Sequence, residues 1–441
     1  MKFIKIIFTI AFLFTVKAYS QTIAPQKISL AQAFELGIKN RYDAQGNKIN
    51  VDIANNAIQK AEKEWLPDIS ASPSVRYNTQ LQKMIFPDGF GENNQPMTIE
   101  MGTKNQTLLS FDLTQNVFKP GISADIKIAR NDALLEQEKN NEKTINIKQT
   151  IAEAYLNTIL KKLQLNLLDS SASRYAQYYK LADDKHKLGT LILNDLLKTK
   201  LDYESAKVAA QKAAQNYNLA MMQLKYQLNI SSEQQIILTD SIESLQKDDV
   251  INSDSTNISG RTEIKQLMLQ IQSNKLQLRK SRQYFLPTIS LVANYTYEFQ
   301  YDNFDYGKSN TWSPFNYVSL KLSLPLTGNI KNHNTIKEYR LKLEQNNFQL
   351  LQKQNDIKYE SEKVKTELLN AQTTMQSTKS NLELSTTVYQ TQLEQFKLGT
   401  LTYSNILDTE TSINTAGQNY VESVYNYLIA RISYEKANGS L

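Results

Sequence analysis

Residues 187–191 read Lys-Leu-Gly-Thr-Leu, and residues 397–401 read Lys-Leu-Gly-Thr-Leu again, 210 positions later. The similarity continues behind each copy, in the hexapeptides Asn-Asp-Leu-Leu-Lys-Thr and Ser-Asn-Ile-Leu-Asp-Thr. A glycine inside a helical pattern ends the helix and supplies a left-handed turn residue. Two ordinary helix ends would also contain such a glycine, but the shared pentapeptide favours a duplicated chain. We therefore predict that Gly189 and Gly399 lie at the tips of two long helical hairpins.

The stretches that flank the two pentapeptides have the periodicity of long helices. Residues 122–186 and 331–396 lead into the pentapeptides and are rich in polar residues, and glycine (13) and proline (9) are scarce in the whole chain. Behind each pentapeptide runs a heptad seam, and the two seams have the same phase: Tyr203, Ala206, Ala210, Ala213, Tyr217, Ala220 and Leu224, then Ile413, Ala416, Tyr420, Ser423, Tyr427, Ala430 and Tyr434. Small residues at such positions let helices approach closely. At ~1.5 Å per residue the first long helix would measure on the order of 100 Å, which suits the wall of a water-filled tube better than a solid core.

Shorter segments alternate apolar and polar side chains with a period of two, which predicts β-strands. There are four of them, at residues 69–77, 109–117, 289–301 and 318–326. The polar segments 80–105 and 302–312 are predicted to be loops. A helix over residues 28–64, with Ser29 as its N-cap, precedes the first strand and ends before Pro67. The second half of the chain repeats the order of strand, loop, strand and long helix.

The first residues have the features of a secretory signal peptide. Lys2 and Lys5 flank the start of an apolar run, and Ala18 and Ser20 offer small side chains at the cleavage positions. We expect residues 1–20 to be removed, which lowers the formal charge from +6 to +3. The remaining chain is then divided by sequence pattern into a first repeat, a polar linker or peripheral segment, and a second repeat: residues 21–230, 231–260 and 261–441.

Composition argues against several classes of function. The chain has no cysteine, so disulfides, a thiol nucleophile and thiolate metal ligands are excluded. Its positive and negative charges are interspersed, which is not the pattern of a nucleic-acid surface. His186 and His333 are the two histidines, and neither has a second ligand at metal spacing. No catalytic motif is present, so we expect neither an enzyme nor a bound cofactor or metal.

The four predicted strands bear on how the chain could meet a membrane. In a secreted chain, alternating strands with aromatic residues near their ends are typical of an outer-membrane β-barrel, although a soluble sandwich alternates in the same way. Four strands cannot close a barrel, and an open edge in lipid leaves backbone groups unpaired. Copies of the chain would have to combine their strands, with 8 strands in a dimer or 12 in a trimer.

In the order of these segments the chain resembles the TolC family of outer-membrane efflux proteins, over nearly its whole length after the leader. The resemblance is carried by the two Leu-Gly-Thr tips and by the segments 28–33 (Ile-Ser-Leu-Ala-Gln-Ala), 66–67 (Leu-Pro), 261–264 (Arg-Thr-Glu-Ile) and 284–287 (Tyr-Phe-Leu-Pro). It implies an α+β fold that is mostly helical, in a homotrimer. A 12-stranded β-barrel would lie in the outer membrane of a Gram-negative-type bacterium, and an α-helical barrel would cross the periplasm.

The resemblance also implies partners and a gate. Six tip residues would contact a periplasmic adaptor protein joined to an inner-membrane pump: Leu188, Gly189, Thr190, Leu398, Gly399 and Thr400. The family's gate has two acidic residues behind the second tip, and these positions hold Asn405 and Asp408 here. Asp195 matches an acidic residue behind the first tip. The gate's basic and tyrosyl partners fall on Leu401 and Phe396, which cannot form those bonds, so we expect a weaker or more apolar closure.

Asp408 allows two interpretations. Three copies around a narrow pore would concentrate negative potential and favour cations. Alternatively, Asp408 is a solvated acid near a helix N-terminus, where the helix dipole favours it.

The implied function is an exit duct that passes small molecules out of a tripartite efflux system. The same duct could serve type I protein secretion instead. A secreted coiled-coil scaffold that never enters a membrane would also account for the long helices.

Overall fold

The computed structural model describes residues 26–86, 97–245, 258–398 and 400–441. The predicted signal peptide lies outside the described residues, as does Gly399. Two compact units are present. The first contains Lys143–Ile258, Asp356–Leu441 and the described residues up to Gly46, and the second contains Asn47–Glu142 and Ser259–Asn355. Each unit contains residues from both halves of the chain. The two units therefore do not correspond to the two repeats predicted along the sequence, and the repeats remain a prediction.

The chain enters the first unit through a short strand and a capped helix. Strand β1 (Gln26–Ile28) is followed by helix α1 (Leu30–Asn40), whose predicted N-cap, Ser29, forms a capping box with Gln32. The prediction of one helix over residues 28–64 is wrong, because the chain turns at Arg41 (φ −66°, ψ 132°) before helix α2 (Tyr42–Lys63) begins. Arg41 is held in this extended conformation by side-chain hydrogen bonds to Asp43 and Gln227.

The second unit contains the main sheet. Its strands are β2 (Asp68–Tyr77), β5 (Asn105–Phe118), β7 (Thr288–Tyr301) and β8 (Trp312–Ser323), in the order β2-β5-β7-β8 with antiparallel pairing throughout. All four predicted strands are therefore present. The fourth begins and ends earlier than the predicted 318–326, because its pairing with β7 continues up to the Phe299–Trp312 pair.

A further hairpin lies between β2 and β5. Strands β3 (Gln82–Phe86) and β4 (Met97–Met101) pair antiparallel with each other. The prediction of a loop over residues 80–105 is thus wrong for its described parts. The alternation of this segment is short and is interrupted by the Gly- and Pro-containing residues 87–96, which lie outside the described residues, so the strand signal was hidden.

Four long helices follow the predicted pattern. They are α3 (Pro120–Lys187), α4 (Leu193–Leu228), α7 (Gly328–Lys397) and α8 (Tyr403–Asn438). The pair α3 and α4 is antiparallel, since Tyr179 stacks on Tyr203 near the tip and the Thr158 hydroxyl donates to the Ala220 carbonyl farther from it. The pair α7 and α8 is also antiparallel, because hydrogen bonds join Gln392 to Thr409 and Thr378 to Ser423. The contacts within each pair therefore establish two helical hairpins.

The predicted linker at residues 231–260 is partly structured. Strand β6 (Ile236–Leu238) pairs in parallel with β1, and helix α5 (Ile242–Leu245) follows. Asp240 accepts hydrogen bonds from the Leu30 backbone N–H at 2.7 Å and from the Tyr155 hydroxyl at 2.9 Å. Residues 236–245 of the predicted linker or peripheral segment thus contain a strand and a short helix, while residues 246–257 lie outside the described part. Helix α6 (Thr262–Arg282) then leads into β7.

The core of the first unit is distributed along its helices in three clusters rather than gathered in one centre. One surrounds Tyr155 and Leu228, one surrounds Leu368 and Leu428, and one surrounds Tyr178 and Ile406 near the tips. None of the helices in the described chain has an apolar stretch sufficient to traverse a lipid bilayer.

Candidate functional site

The main sheet has one apolar and one polar face, because its register places most apolar residues of adjacent strands opposite apolar residues and most polar residues opposite polar ones. Leu109, Phe111 and Leu113 of β5 pair with Tyr297, Tyr295 and Ala293 of β7 on one face. On the other face the Asn294 amide donates to the Asp112 carboxylate at 2.8 Å, and the hydroxyls of Ser110 and Thr296 lie 3.0 Å apart. Side chains on adjacent strands thus form a hydrogen-bonded polar surface behind an apolar one, which is the arrangement of a wall between lipid and water.

Both outer strands of this sheet present apolar side chains to solvent. On β2, Ile69 and Val75 are each 66% exposed, and on β8, Val318 is 74% and Leu320 67% exposed. Within the described chain, neither β2 nor β8 has a partner on its outer side. A row of unpaired backbone groups flanked by exposed apolar side chains is a strong template for pairing with another chain.

Aromatic rings gather at the end of the sheet where β7 turns into β8. The ring of Trp312 stacks on Tyr297 at 4.9 Å, and Phe299, which is fully buried, lies 4.6 Å from Tyr306. Aromatic girdles of this kind mark the boundary between lipid and water in membrane barrels. The sheet therefore has the three features of a barrel wall: an apolar face, a polar face and an aromatic end.

The threonines of the two hairpin tips make the same pair of hydrogen bonds. In the first, Gly189 adopts φ +73° and the Thr190 backbone N–H and hydroxyl both bond to the Lys185 carbonyl at 2.9 Å. In the second, Thr400 makes the same two bonds to the Gln395 carbonyl, at 3.0 and 2.9 Å. The threonine of each pentapeptide thus caps the last turn of a long helix.

The outermost side chains at these tips are apolar and solvent-exposed. Leu188 is 78% exposed and Leu398 is 79% exposed. His186 was considered above as a metal ligand and rejected. Its Nδ1 atom lies 2.7 Å from the Leu191 carbonyl oxygen, and this contact stabilises the turn at the first tip. The described residues contain no group of three acidic, histidine or cysteine side chains placed to hold a metal ion.

The structure places the proposed gate residues on different surfaces. Asn405 and Asp408 are exposed in the first turns of α8, and Asp195 is partly exposed in the first turn of α4. Phe396 is buried and Leu401 partly buried in the cluster around Tyr178 and Ile406. Phe396 and Leu401, which cannot form the bonds of the family's gate, therefore pack in this cluster behind the second tip.

A buried ion pair lies next to this cluster and was not predicted from the sequence. Glu410 of α8 is fully buried, and Arg174 of α3 donates to its carboxylate through Nε at 2.9 Å and through a terminal nitrogen at 2.7 Å. Asn414 donates to the same carboxylate at 3.0 Å and Ser171 at 3.2 Å. Removing one partner of such a pair costs ~3–5 kcal/mol because the other charge is left buried and alone.

This cluster also includes two tyrosines. The hydroxyls of Tyr178 and Tyr389 lie 2.6 Å apart, and the Arg174 guanidinium lies 5.6 Å from the Tyr389 ring centroid. Burial would lower the pKa of Arg174, but the hydrogen bonds and charge of Glu410 outweigh it, so that the pKa is raised. Burial also raises the pKa of Tyr178, so its hydroxyl keeps its proton. The cluster is a pre-formed polar junction between α3, α7 and α8.

A second polar contact lies closer to the tip. The Tyr403 hydroxyl of α8 donates to the Asp202 carboxylate of α4 at 3.1 Å. Both residues are only partly buried. Burial and the charge of Asp202 raise the pKa of Tyr403, so the phenol remains a donor. A hydrogen bond to a charged group contributes ~1.5–3 kcal/mol.

A single sequence gives little sign of either contact. Glu410 and Asp202 look like ordinary surface acids in polar helices, and their partners are 236 and 201 residues away. The one available signal was phase: Glu410 lies three residues before Ile413, which places it on the same buried side of α8 as the heptad seam.

The comparisons with known proteins agree on the fold. A family model described as outer membrane efflux protein matches residues 36–229. The Campylobacter jejuni CmeC outer membrane channel has a TM-score of 0.74 at 14% identity, covering 93% of this chain and 85% of that chain. VceC, an outer membrane protein of Vibrio cholerae, has a TM-score of 0.70 at 13% identity, covering 93% and 96%. A CusC crystal structure has a TM-score of 0.75 at 15% identity, covering 93% and 91%. Among curated proteins no match was found.

These findings confirm the mostly helical α+β fold and support an outer-membrane location and an efflux duct. Residues 36–229 of the chain match the outer membrane efflux protein family, to which the TolC-like order of its segments pointed.

Proposed function

We propose that three copies of this chain form the exit duct of a tripartite efflux system that carries small molecules across the outer membrane of a Gram-negative-type bacterium. The four strands of each copy contribute to a 12-stranded barrel in the membrane, and the helices stand in the periplasm. The tips meet a periplasmic adaptor protein, which links the duct to an inner-membrane pump.

One observation carries this proposal: the four-stranded sheet is open at both edges. Its strands alternate in direction, so β2 and β8 run antiparallel to each other. The β8 edge of one copy can therefore pair with the β2 edge of the next and continue the same antiparallel pattern. Repeating this step closes a barrel and removes the unpaired edges, which lipid does not tolerate. The resemblance to the TolC family favours three copies over two.

The entrance end supports the remaining parts of the proposal. The exposed leucines at the tips, Leu188 and Leu398, offer apolar contacts to an adaptor. Asp408 is exposed, and three copies of it around the entrance would favour cations over anions. Passage of protein substrates instead of small molecules would use the same wall and is an outcome of the test below.

Cysteine cross-linking tests the wall directly, because the chain has no cysteine of its own. Ser72 of β2 and Ser319 of β8 lie on the polar face of the sheet. Cysteine at position 72 is combined in turn with cysteine at positions 317, 319 and 321, so that the unknown register between copies is scanned. We expect one combination to give a covalent ladder ending at three chains after oxidation in membranes.

The matched control pairs cysteine at Ser72 with cysteine at Val318 or Leu320, whose side chains lie on the opposite face of the sheet. These combinations should not cross-link. A ladder that ends at two chains would replace the trimer with a dimer. No cross-link in any combination, or extraction of the protein without detergent, would refute the barrel.

Deletion of the gene in its host tests the transported class. We expect greater susceptibility to toxic small molecules and co-purification of a periplasmic adaptor with the tagged protein. Unchanged susceptibility together with the loss of a secreted protein from the medium would refute efflux in favour of protein export.

A further inference from the structure

Within the second unit, a cavity of about 280 Å³ lies where the main sheet meets its helices. It is formed by the first turns of α3, which follows β5, and by the last turns of α6, which leads into β7. Strands β5 and β7 are paired, so the helices that continue from them lie side by side. Lys280 of α6 pairs with Asp125 of α3, and the Asn131 amide of α3 donates to the Leu269 carbonyl of α6 at 2.9 Å, so the two helices are antiparallel.

The apolar wall of this cavity continues the apolar face of the sheet. A β-bulge between Asn116 and Phe118 sets Phe118 opposite Ile289 of β7. Ile289 lies four residues before Ala293, so its side chain and that of Phe118 are on the apolar face. Phe118 also lines the cavity, together with the apolar residues Pro120, Ala124, Leu276 and Leu286. A hydrocarbon chain that lies against the apolar face can therefore reach the cavity without leaving apolar surface.

The polar part of the lining carries positive charge that the described chain does not neutralise. Lys127 of α3 and Arg279 of α6 both line the cavity and are exposed. Neither forms an ion pair with a described residue, and no acidic residue is among the described residues of the lining. The next cation along α3, Arg130, is by contrast paired with Glu62 at 2.7 Å. Two cations without a carboxylate favour an anion as the occupant.

The combination of charge and apolar surface indicates which anion. The guanidinium of Arg279 matches the geometry of a phosphate, and Lys127 adds a second positive charge. A free phosphate would use both cations but would leave the apolar wall in water. A phospholipid uses both parts of the lining, because its phosphate is joined to acyl chains that can cover the apolar face of the sheet.

We propose that this cavity binds the phosphate of an anionic glycerophospholipid from the periplasmic leaflet of the outer membrane. Lys127 and Arg279 bind the phosphate, and the acyl chains lie against Phe118 and the apolar face. The proposal rests on the outer-membrane duct proposed above, since the helices then stand in the periplasm and this end of the sheet is at the level of the head groups. It adds a lipid site in each copy that fixes the level of the sheet in the bilayer.

The first test measures the affinity of the detergent-purified protein for phosphatidylglycerol by native mass spectrometry. Lys127→Gln and Arg279→Gln should each weaken binding about fivefold, and the double variant about thirtyfold. Both side chains are exposed, so the variants should fold and assemble like the parent. Arg282→Gln is the matched control, because it removes the same charge from the last turn of α6 at a residue that does not line the cavity. Its affinity should equal that of the parent.

The second test separates a lipid from a soluble anion as the occupant. Inorganic phosphate in large excess should not displace phosphatidylglycerol from the parent, because it gains nothing from the apolar wall. Phosphatidylcholine should bind more weakly than phosphatidylglycerol, because its choline group cancels the charge of the phosphate. Displacement of the lipid by inorganic phosphate, or equal binding of the two lipids, would overturn the proposal.

The outcomes also separate this inference from the function on which it rests. If the cysteine ladder between copies fails to form in membranes, the barrel is refuted and the lipid site with it. If the ladder forms but the double variant binds phosphatidylglycerol like the parent, the duct stands and the lipid site is overturned. Equal losses for Arg279→Gln and Arg282→Gln would also overturn it, since the lipid would then respond to general surface charge.

Discussion

Replacement of Arg174 by methionine is the sharpest test of the buried cluster. Arg174→Met keeps most of the side-chain volume but leaves the Glu410 carboxylate buried with only Asn414, Ser171 and a distant tyrosine hydroxyl as donors. The side chain of Arg174 is 22% exposed and that of Glu410 is 0% exposed. Because water cannot reach the orphaned charge, we expect a loss of ~3–5 kcal/mol in the free energy of unfolding.

The assay is the thermal unfolding midpoint of the detergent-purified oligomer, measured at several scan rates because unfolding of such assemblies is often irreversible. The double variant Arg174→Met with Glu410→Met removes both charges and should recover most of the loss. Asp183→Asn, which breaks the surface pair with Lys187, is the control and should change the midpoint little. An Arg174→Met midpoint equal to that of the control, or a double variant no more stable than Arg174→Met, would refute the reasoning.

Three further predictions can be checked on the same material. Gly37→Ala places a Cβ against a buried isoleucine in the core of the first unit and should destabilise by ~1–3 kcal/mol in thermal unfolding, whereas Gly46→Ala, with open space around it, should be neutral or slightly stabilising. Burial would raise the pKa of Glu263, but the hydrogen bonds of Arg261 and the backbone outweigh this and lower it to about 2 from 4.5. The ionised Glu263 carboxylate therefore contributes up to ~3 kcal/mol to the free energy of unfolding above pH ~4.5, and this contribution is lost as the pH falls toward 2. The difference in stability between the parent and Glu263→Gln should vanish near pH 2. A difference that persists below pH 2 would contradict this prediction. Asp408→Asn should lower the cation-over-anion preference of single channels, and an unchanged reversal potential in a salt gradient would favour a solvated surface acid.

Local chemistry explains which parts of the fold could be predicted. Alternation over residues 69–77 and 289–301 predicted β2 and β7 almost to the residue, because one face of each strand is apolar and the other polar. The break at Arg41 was missed, since it depends on a hydrogen bond to Gln227, 186 residues away. Strand β6 was missed because three residues of pattern are too few, and its pairing with β1 depends on tertiary contacts.

The candidate site was likewise predicted where it depends on local sequence and missed where it depends on contacts between distant residues. The two tips followed from the repeated pentapeptide, whose threonine closes a helix by a local backbone bond in both copies. The exposed positions of Asn405 and Asp408 are compatible with the gate that the resemblance implied, and their role there remains a prediction. The polar contacts that hold α8 involve other residues, Glu410 and Tyr403, and their partners lie in a different hairpin.

The sequence by itself determined the local elements of this protein: the duplicated order of strands and helices, the hairpin tips and the two-faced strands. These depend on backbone bonds and on the period of apolar residues, both of which operate over a few positions. Only the tertiary structure decided that the sheet order leaves β2 and β8 as antiparallel open edges and that a fully buried glutamate ties α8 to α3. Strand order and buried charge pairs join residues far apart in the chain, and the free energy of such contacts depends on desolvation, which exists only once the surrounding helices and strands have packed.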